Sequence, residues 1–163
     1  MRFIALFTVL LAVLFIAELT APAQQYVVVP WTQQLGAIGG SVASWFDKGT
    51  IASGSTILNP ATGFGVTIVA GCNGVEATLI LVAAIVAFPS SPAQKLAGIA
   101  SGIVAVQALN LVRVVSLYFI GRSSPAAFEF AHLYLWQAMI MLDVLIVWLV
   151  WLRMIRRVPA ADA

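Results

Sequence analysis

The only thiol in the chain, Cys72, lies in the stretch Gly71-Cys72-Asn73-Gly74-Val75-Glu76, directly ahead of an unbroken apolar run. Asn73 is a good helix N-cap, and Glu76 three residues on completes a capping-box pattern. Cys72 then precedes the first helical turn, where unpaired N–H groups and the helix dipole favour a thiolate. Gly71 and Gly74 leave room for a peptide backbone to approach the sulfur, and the first-turn N–H groups offer an oxyanion site. Arg113 lies inside a second apolar segment and ends a polar track, Gln107, Asn110 and Arg113, at spacings of three. An arginine at such a position is costly and usually functional. The only histidine, His132, lies within Phe128-Glu129-Phe130-Ala131-His132-Leu133-Tyr134, an aromatic belt of the kind found at membrane interfaces. A thiol, a cation and an imidazole are the parts needed for acyl transfer through a thioester.

Each residue also has a plain reading. A lone thiol in an apolar chain is commonly buried and inert. Gln107 and Asn110 suit interhelical hydrogen bonding, and Arg113 alone would snorkel to the interface. Glu76 reads first as a helix cap, and otherwise as a partner that orients His132 or pairs with Arg113. Asp143 falls deeper on the helix face of His132, as a neutral acid for a neighbouring helix. Glu18, at the end of the first apolar segment, has similar status.

The chain is 62% hydrophobic and only 9% charged, with a mean hydropathy of +1.04. A soluble domain carries about 25% charged residues, so composition predicts an integral membrane protein. The basic residues flank apolar segments, and no nucleic-acid partner is expected. One cysteine excludes an internal disulfide and multi-cysteine metal sites, and one histidine leaves a zinc site improbable. No cofactor motif is present, and neither cofactor nor metal is expected.

The fold class expected is an all-α integral membrane protein of about four transmembrane helices, with an external amphipathic helix and a small β-hairpin between the first and second. The spans are Phe3 to Thr20, Val75 to Phe88, Leu96 to Phe119 and Ala131 to Leu152, with turns at residues 89–92 and 121–125. The chain reads as one membrane-embedded domain over residues 1–163. Residues 1–22 form a transmembrane helix or signal anchor, since Ala21-Pro22-Ala23 also resembles a cleavage site. Residues 23–71 form an external loop, 72–153 a three-helix core and 154–163 a cytoplasmic tail. Within the loop, Trp31, Leu35, Ile38, Val42 and Trp45 recur at helical spacing as an interfacial helix, and residues 55–58 and 64–69 read as the hairpin.

The positive-inside bias puts Arg2, Lys95, Arg153, Arg156 and Arg157 in the cytoplasm, with both termini, and Lys48 and Arg122 outside. The helix directions then bring Cys72, Arg113 and His132 to one level near the external face, with Arg113 roughly 9 Å before its helix end.

With the three residues placed so, the chain resembles the exosortase/archaeosortase family. The resemblance rests on Cys-Asn-Gly at Cys72, Asn110-Leu-Val-Arg113 on the next helix and His132 on the one after, and covers residues 63–152. The compact length is most similar to the exosortase H type. The resemblance implies a cysteine transpeptidase or protease of the bacterial cytoplasmic membrane, with its site facing the exterior. Its partners would be membrane lipid and exported proteins ending in a short motif, a spanning helix and a basic tail. It further implies Cys72 as nucleophile, Arg113 as carbonyl-positioning or oxyanion-stabilising group and His132 as proton shuttle, with Asn110 and Glu76 supporting. From the residues alone, a non-catalytic membrane subunit and a thiol-dependent acyltransferase stay open.

Overall fold

The computed structural model describes residues 2–157, and of the expected cytoplasmic tail residues 158–163 lie outside it. Residues 154–157 continue the last helix.

Helix α1 (Arg2–Glu18) is apolar between its charged ends apart from Thr8, and is followed by Leu19-Thr20, ahead of Pro22. The chain restarts at once as α2 (Ala21–Ala23), a π-helical turn (Gln24–Val28) and α3 (Val29–Ser44), at 71° to α1. A proline in a first helical turn cannot supply the N–H that would continue the preceding helix, so the bend falls there. The interfacial helix therefore begins well before Trp31. The side it turns to the rest of the protein is made largely of small residues. Thr32, Leu35, Gly36, Gly39, Gly40 and Ala43 point inward, while Ile38 and Trp45 are exposed. The reason is steric: a Cβ on Gly36 would stand 2.5 Å from the Gly54 carbonyl oxygen. Small residues, not large apolar ones, let the sheet backbone close on α3.

That sheet is a three-stranded antiparallel meander of β1 (Ile51–Ser53), β2 (Thr56–Asn59) and β3 (Phe64–Thr67), where a two-stranded hairpin was expected. A polar cluster fastens it to the end of α5 (Pro92–Ser123). Asp47 forms an ion pair with Arg122 and accepts from Asn59 Nδ2 at 2.9 Å and Tyr118 Oη at 3.3 Å. The Asn59 hydrogen bond, with help from Thr50 and Arg122, holds the Asp47 carboxyl below the usual aspartate range.

Helix α4 (Val75–Ala87) packs against α1, α5 and the final rod. That rod comprises α6 (Pro125–Phe130), a π-helical turn (Ala131–Leu135) and α7 (Trp136–Arg157). One apolar core, including Leu81, Ile85, Val106 and Val144, joins α4, α5 and α7. A second, with Leu35, Ile57, Val114 and Tyr118, joins α3, the sheet and α5.

The protein is thus mostly helical, and among the described residues two helices are long and apolar enough to cross a membrane, Pro92–Ser123 and Pro125–Ile155, or three if the bent pair from Arg2 to Ser44 counts as one, where about four were expected. Helix α4 has 13 residues, about 20 Å at 1.5 Å per residue, against a hydrocarbon core of about 30 Å. The expected loop at 121–125 shrinks to Ser124, because Ser124 caps α6 through its side chain and Pro125 starts the next helix.

Candidate active site

Cys72 is delivered by a loop with two left-handed residues, Gly71 (φ 81°) and Gly74 (φ 75°). Gly74, not Asn73, occupies the N-cap of α4. The Asn73 side chain instead accepts from Val75 N–H at 3.0 Å, closing an Asx turn, and donates to Thr32 Oγ1 at 3.0 Å. The expected capping box is absent, since Glu76 Oε1 reaches past Asn73 to accept from Gly71 N–H at 2.8 Å. Trp31 Nε1 donates to the Asn73 carbonyl at 3.1 Å, and Gln107 Nε2 to the Gly74 carbonyl at 3.1 Å. Irregular backbone at membrane depth requires such internal partners.

Arg113 approaches from α5. The side chain is only 3% exposed, and its Nη2 donates to Cys72 Sγ at 3.6 Å. Among the described residues it has no carboxylate partner, neither Glu76 nor Asp143, and its Nε is buried without a partner. Because α5 runs on to Ser123, Arg113 lies ten residues (123 minus 113) from the helix end, about 15 Å. This is deeper than the 9 Å expected from a helix ending at Phe119.

His132 comes from the rod, inside the π-helical turn rather than at a helix start. Phe128, one turn earlier, stacks flat on the imidazole with centroids 5.5 Å apart at 9°. Its Nδ1 is buried without a partner. Cys72, Arg113 and His132 line one cavity of about 110 Å³, bounded by residues 66–69 and Phe128. A π-bulge widens a helix by one residue and is frequent at functional sites.

The other sequence candidates fall around this space. Asn110 is fully buried beside the Gly74 turn, with both polar side-chain atoms unpartnered. Asp143 is half-buried on α7, away from the cavity lining, with Oδ2 unpartnered. Glu18 is buried at the α1 terminus and does not line the cavity.

The transmembrane exosortase family model matches residues 2–151. The chain belongs to the transmembrane exosortase family. No curated protein and no solved structure matches it.

In this exosortase-family chain the match includes α1, α3 and the sheet as well as the helices carrying the three residues. Thr32, Trp31, Asn73 and Gln107, which shape the cysteine loop, were not all legible as a set, since they lie on three separate elements. Phe128 had a readable signal: it stands one helical turn before His132, the spacing at which side chains meet.

Gly74 is where loop shape and packing coincide. A Cβ there would meet Gln107 Oε1 at 2.9 Å and Asn110 Cγ at 3.1 Å, at a φ that disfavours L side chains. Gly74→Ala is expected to destabilise the protein by about 1–3 kcal/mol and, on the function proposed below, to lower turnover by about tenfold or more. Thermal unfolding in detergent alongside a turnover assay measures both.

Proposed function

We propose that this chain is a membrane-embedded cysteine transpeptidase or peptidase that removes C-terminal sorting signals from exported proteins at the outer face of the cytoplasmic membrane. One observation carries the reading: the only thiol, the only histidine and a buried arginine without a carboxylate partner among the described residues line a single cavity, with guanidinium and sulfur at 3.6 Å. Arg113 holds a positive charge against the sulfur and so pairs the charge of an attacking thiolate. His132 takes the thiol proton, the Cys72 sulfur attacks the peptide carbonyl carbon, and the carbonyl oxygen becomes an oxyanion that Arg113 stabilises. The C–N bond then breaks, His132 gives a proton to the leaving amine, and a thioester remains on Cys72. Water or a second amine attacks the thioester and restores the thiol.

The basic residues support an orientation with both termini inside, which puts the cysteine loop toward the exterior. The non-catalytic reading is disfavoured because it calls for Arg113 paired to a carboxylate. The deciding experiment co-expresses the chain with a reporter exported protein from the same genome that ends in a short motif, a spanning helix and a basic tail. Intact-mass analysis is expected to show loss of the helix and tail. A reporter that gains a lipid mass without losing peptide would instead establish acyl transfer, and an unchanged reporter would establish a non-catalytic role.

A further inference from the structure

Strand β3 is an edge strand: it pairs with β2 on one side, and among the described residues no strand lies on the other. Ile68 N–H donates to the Ser55 carbonyl at 2.9 Å, which makes Ser55 and Ile68 a hydrogen-bonded pair just beyond the ladder. The register continues as Thr56↔Thr67, Ile57↔Val66, Leu58↔Gly65 and Asn59↔Phe64. Antiparallel ladders alternate, so Val66 and Phe64 turn their N–H and C=O groups to β2, while Gly65 and Thr67 turn theirs to the open side. Among the described residues nothing bonds to those outward main-chain groups.

A groove of about 330 Å³ runs along this open edge, with residues 64–67 on one wall and Pro125, Phe128 and Glu129 on the other. It shares Val66, Thr67 and Phe128 with the cavity of Cys72, Arg113 and His132. The groove and cavity together follow residues 64–69, of which Phe64–Thr67 are about 13 Å of strand.

We propose that the substrate segment just before the scissile bond binds in extended form as a fourth strand on β3. Unsatisfied strand edges recruit extended peptides in this way. Three features commit the edge to this occupant. The outward groups of Gly65 and Thr67 alternate with paired ones, the groove lies between β3 and α6, and it shares three lining residues with the cavity that holds the sulfur. The inference rests on the function proposed above. With the exported part outside and the signal helix in the membrane, the segment runs parallel to β3, from the Phe64 end toward Cys72. Recognition is then mainly of backbone, with alternate side chains facing the groove.

The test uses the full-length protein in lipid nanodiscs and synthetic peptides carrying the reporter's segment before the helix, its helix and its basic tail. Each residue of the segment is N-methylated in turn. Loss of one hydrogen bond is expected to reduce kcat/KM by about three- to tenfold, and the losses should fall at every second residue. Thr67→Pro removes an outward N–H at a place where an edge strand tolerates proline. It is expected to reduce kcat/KM at least as much, mainly through KM, while iodoacetamide labelling of Cys72 stays within about twofold of wild type, as expected if the loop is undisturbed. A flat or contiguous N-methylation profile, or wild-type kinetics in Thr67→Pro, would overturn the fourth-strand proposal and leave the enzyme reading intact. Failure of the wild type to cleave the unmethylated peptide would remove both. If Thr67→Pro does not accumulate, the N-methylation profile of the wild type decides alone.

Discussion

Cys72→Ala leaves the reporter full length. Without the nucleophile no thioester forms, and turnover is expected to fall by a factor of about a thousand or more, because only binding and charge stabilisation remain. Cys72→Ser is expected to fall nearly as far, since a serine hydroxyl is not ionised at neutral pH and gains less than a thiol from the Arg113 charge. Both variants should accumulate in the membrane at wild-type levels. The thiol is half-buried, its polar contact is the one from Arg113, and the loop is held through Asn73 and Gly74 instead. Quantifying the released C-terminal fragment against membrane abundance separates chemistry from folding. Substantial cleavage by Cys72→Ala would remove Cys72 as nucleophile.

Arg113 is expected to give the second largest loss. Arg113→Lys keeps a charge but replaces a planar fork by a point donor on a shorter reach. A drop of about 10²–10³ in kcat/KM is the expected size for losing one donor aimed at developing negative charge. Stability should move differently. A buried charge whose removal orphans no carboxylate is replaced at little cost by an apolar side chain of similar length, so Arg113→Met should lie within about 1 kcal/mol of wild type or above it. An arginine that held helices together would behave in the opposite way, with Arg113→Met destabilised by about 3–5 kcal/mol and Arg113→Lys close to wild type in turnover. Thermal unfolding in nanodiscs, run beside the kinetics, distinguishes the two.

Much of the site's placement was legible in the sequence, and the misreadings share a cause. Cys72, Arg113 and His132 were grouped from helix directions alone, because apolar runs and basic flanks report order and sense of traversal. Helix ends were read less well. Gly121 to Pro125 is polar and looks like a loop, yet Ser124 and Pro125 are a cap and a first-turn residue, so α5 and α6 nearly abut. Hydrophobic periodicity did not reveal the side of α3 that packs on the sheet, because much of that surface is glycine and Ile38 and Trp45 point away from it. Asn73 was read as a cap since Asn-x-x-Glu fits that pattern, but Gly74 takes the left-handed residue and moves the helix start by one. Strand β1 has three residues, too few to carry an alternation.

The shortness of α4 has a consequence for selection. On the proposed orientation, about 20 Å of helix leaves the Gly71–Gly74 turn short of the outer surface of a bilayer whose core is about 30 Å. On the proposed function the sulfur therefore waits below the lipid headgroups, and the bond it attacks must be brought to that level. A peptide in bulk water, whatever its sequence, stays too high. A signal whose spanning helix is too long or too short presents its scissile bond out of register. Depth becomes an address in its own right, written in the length of the substrate's helix rather than in the letters of its motif.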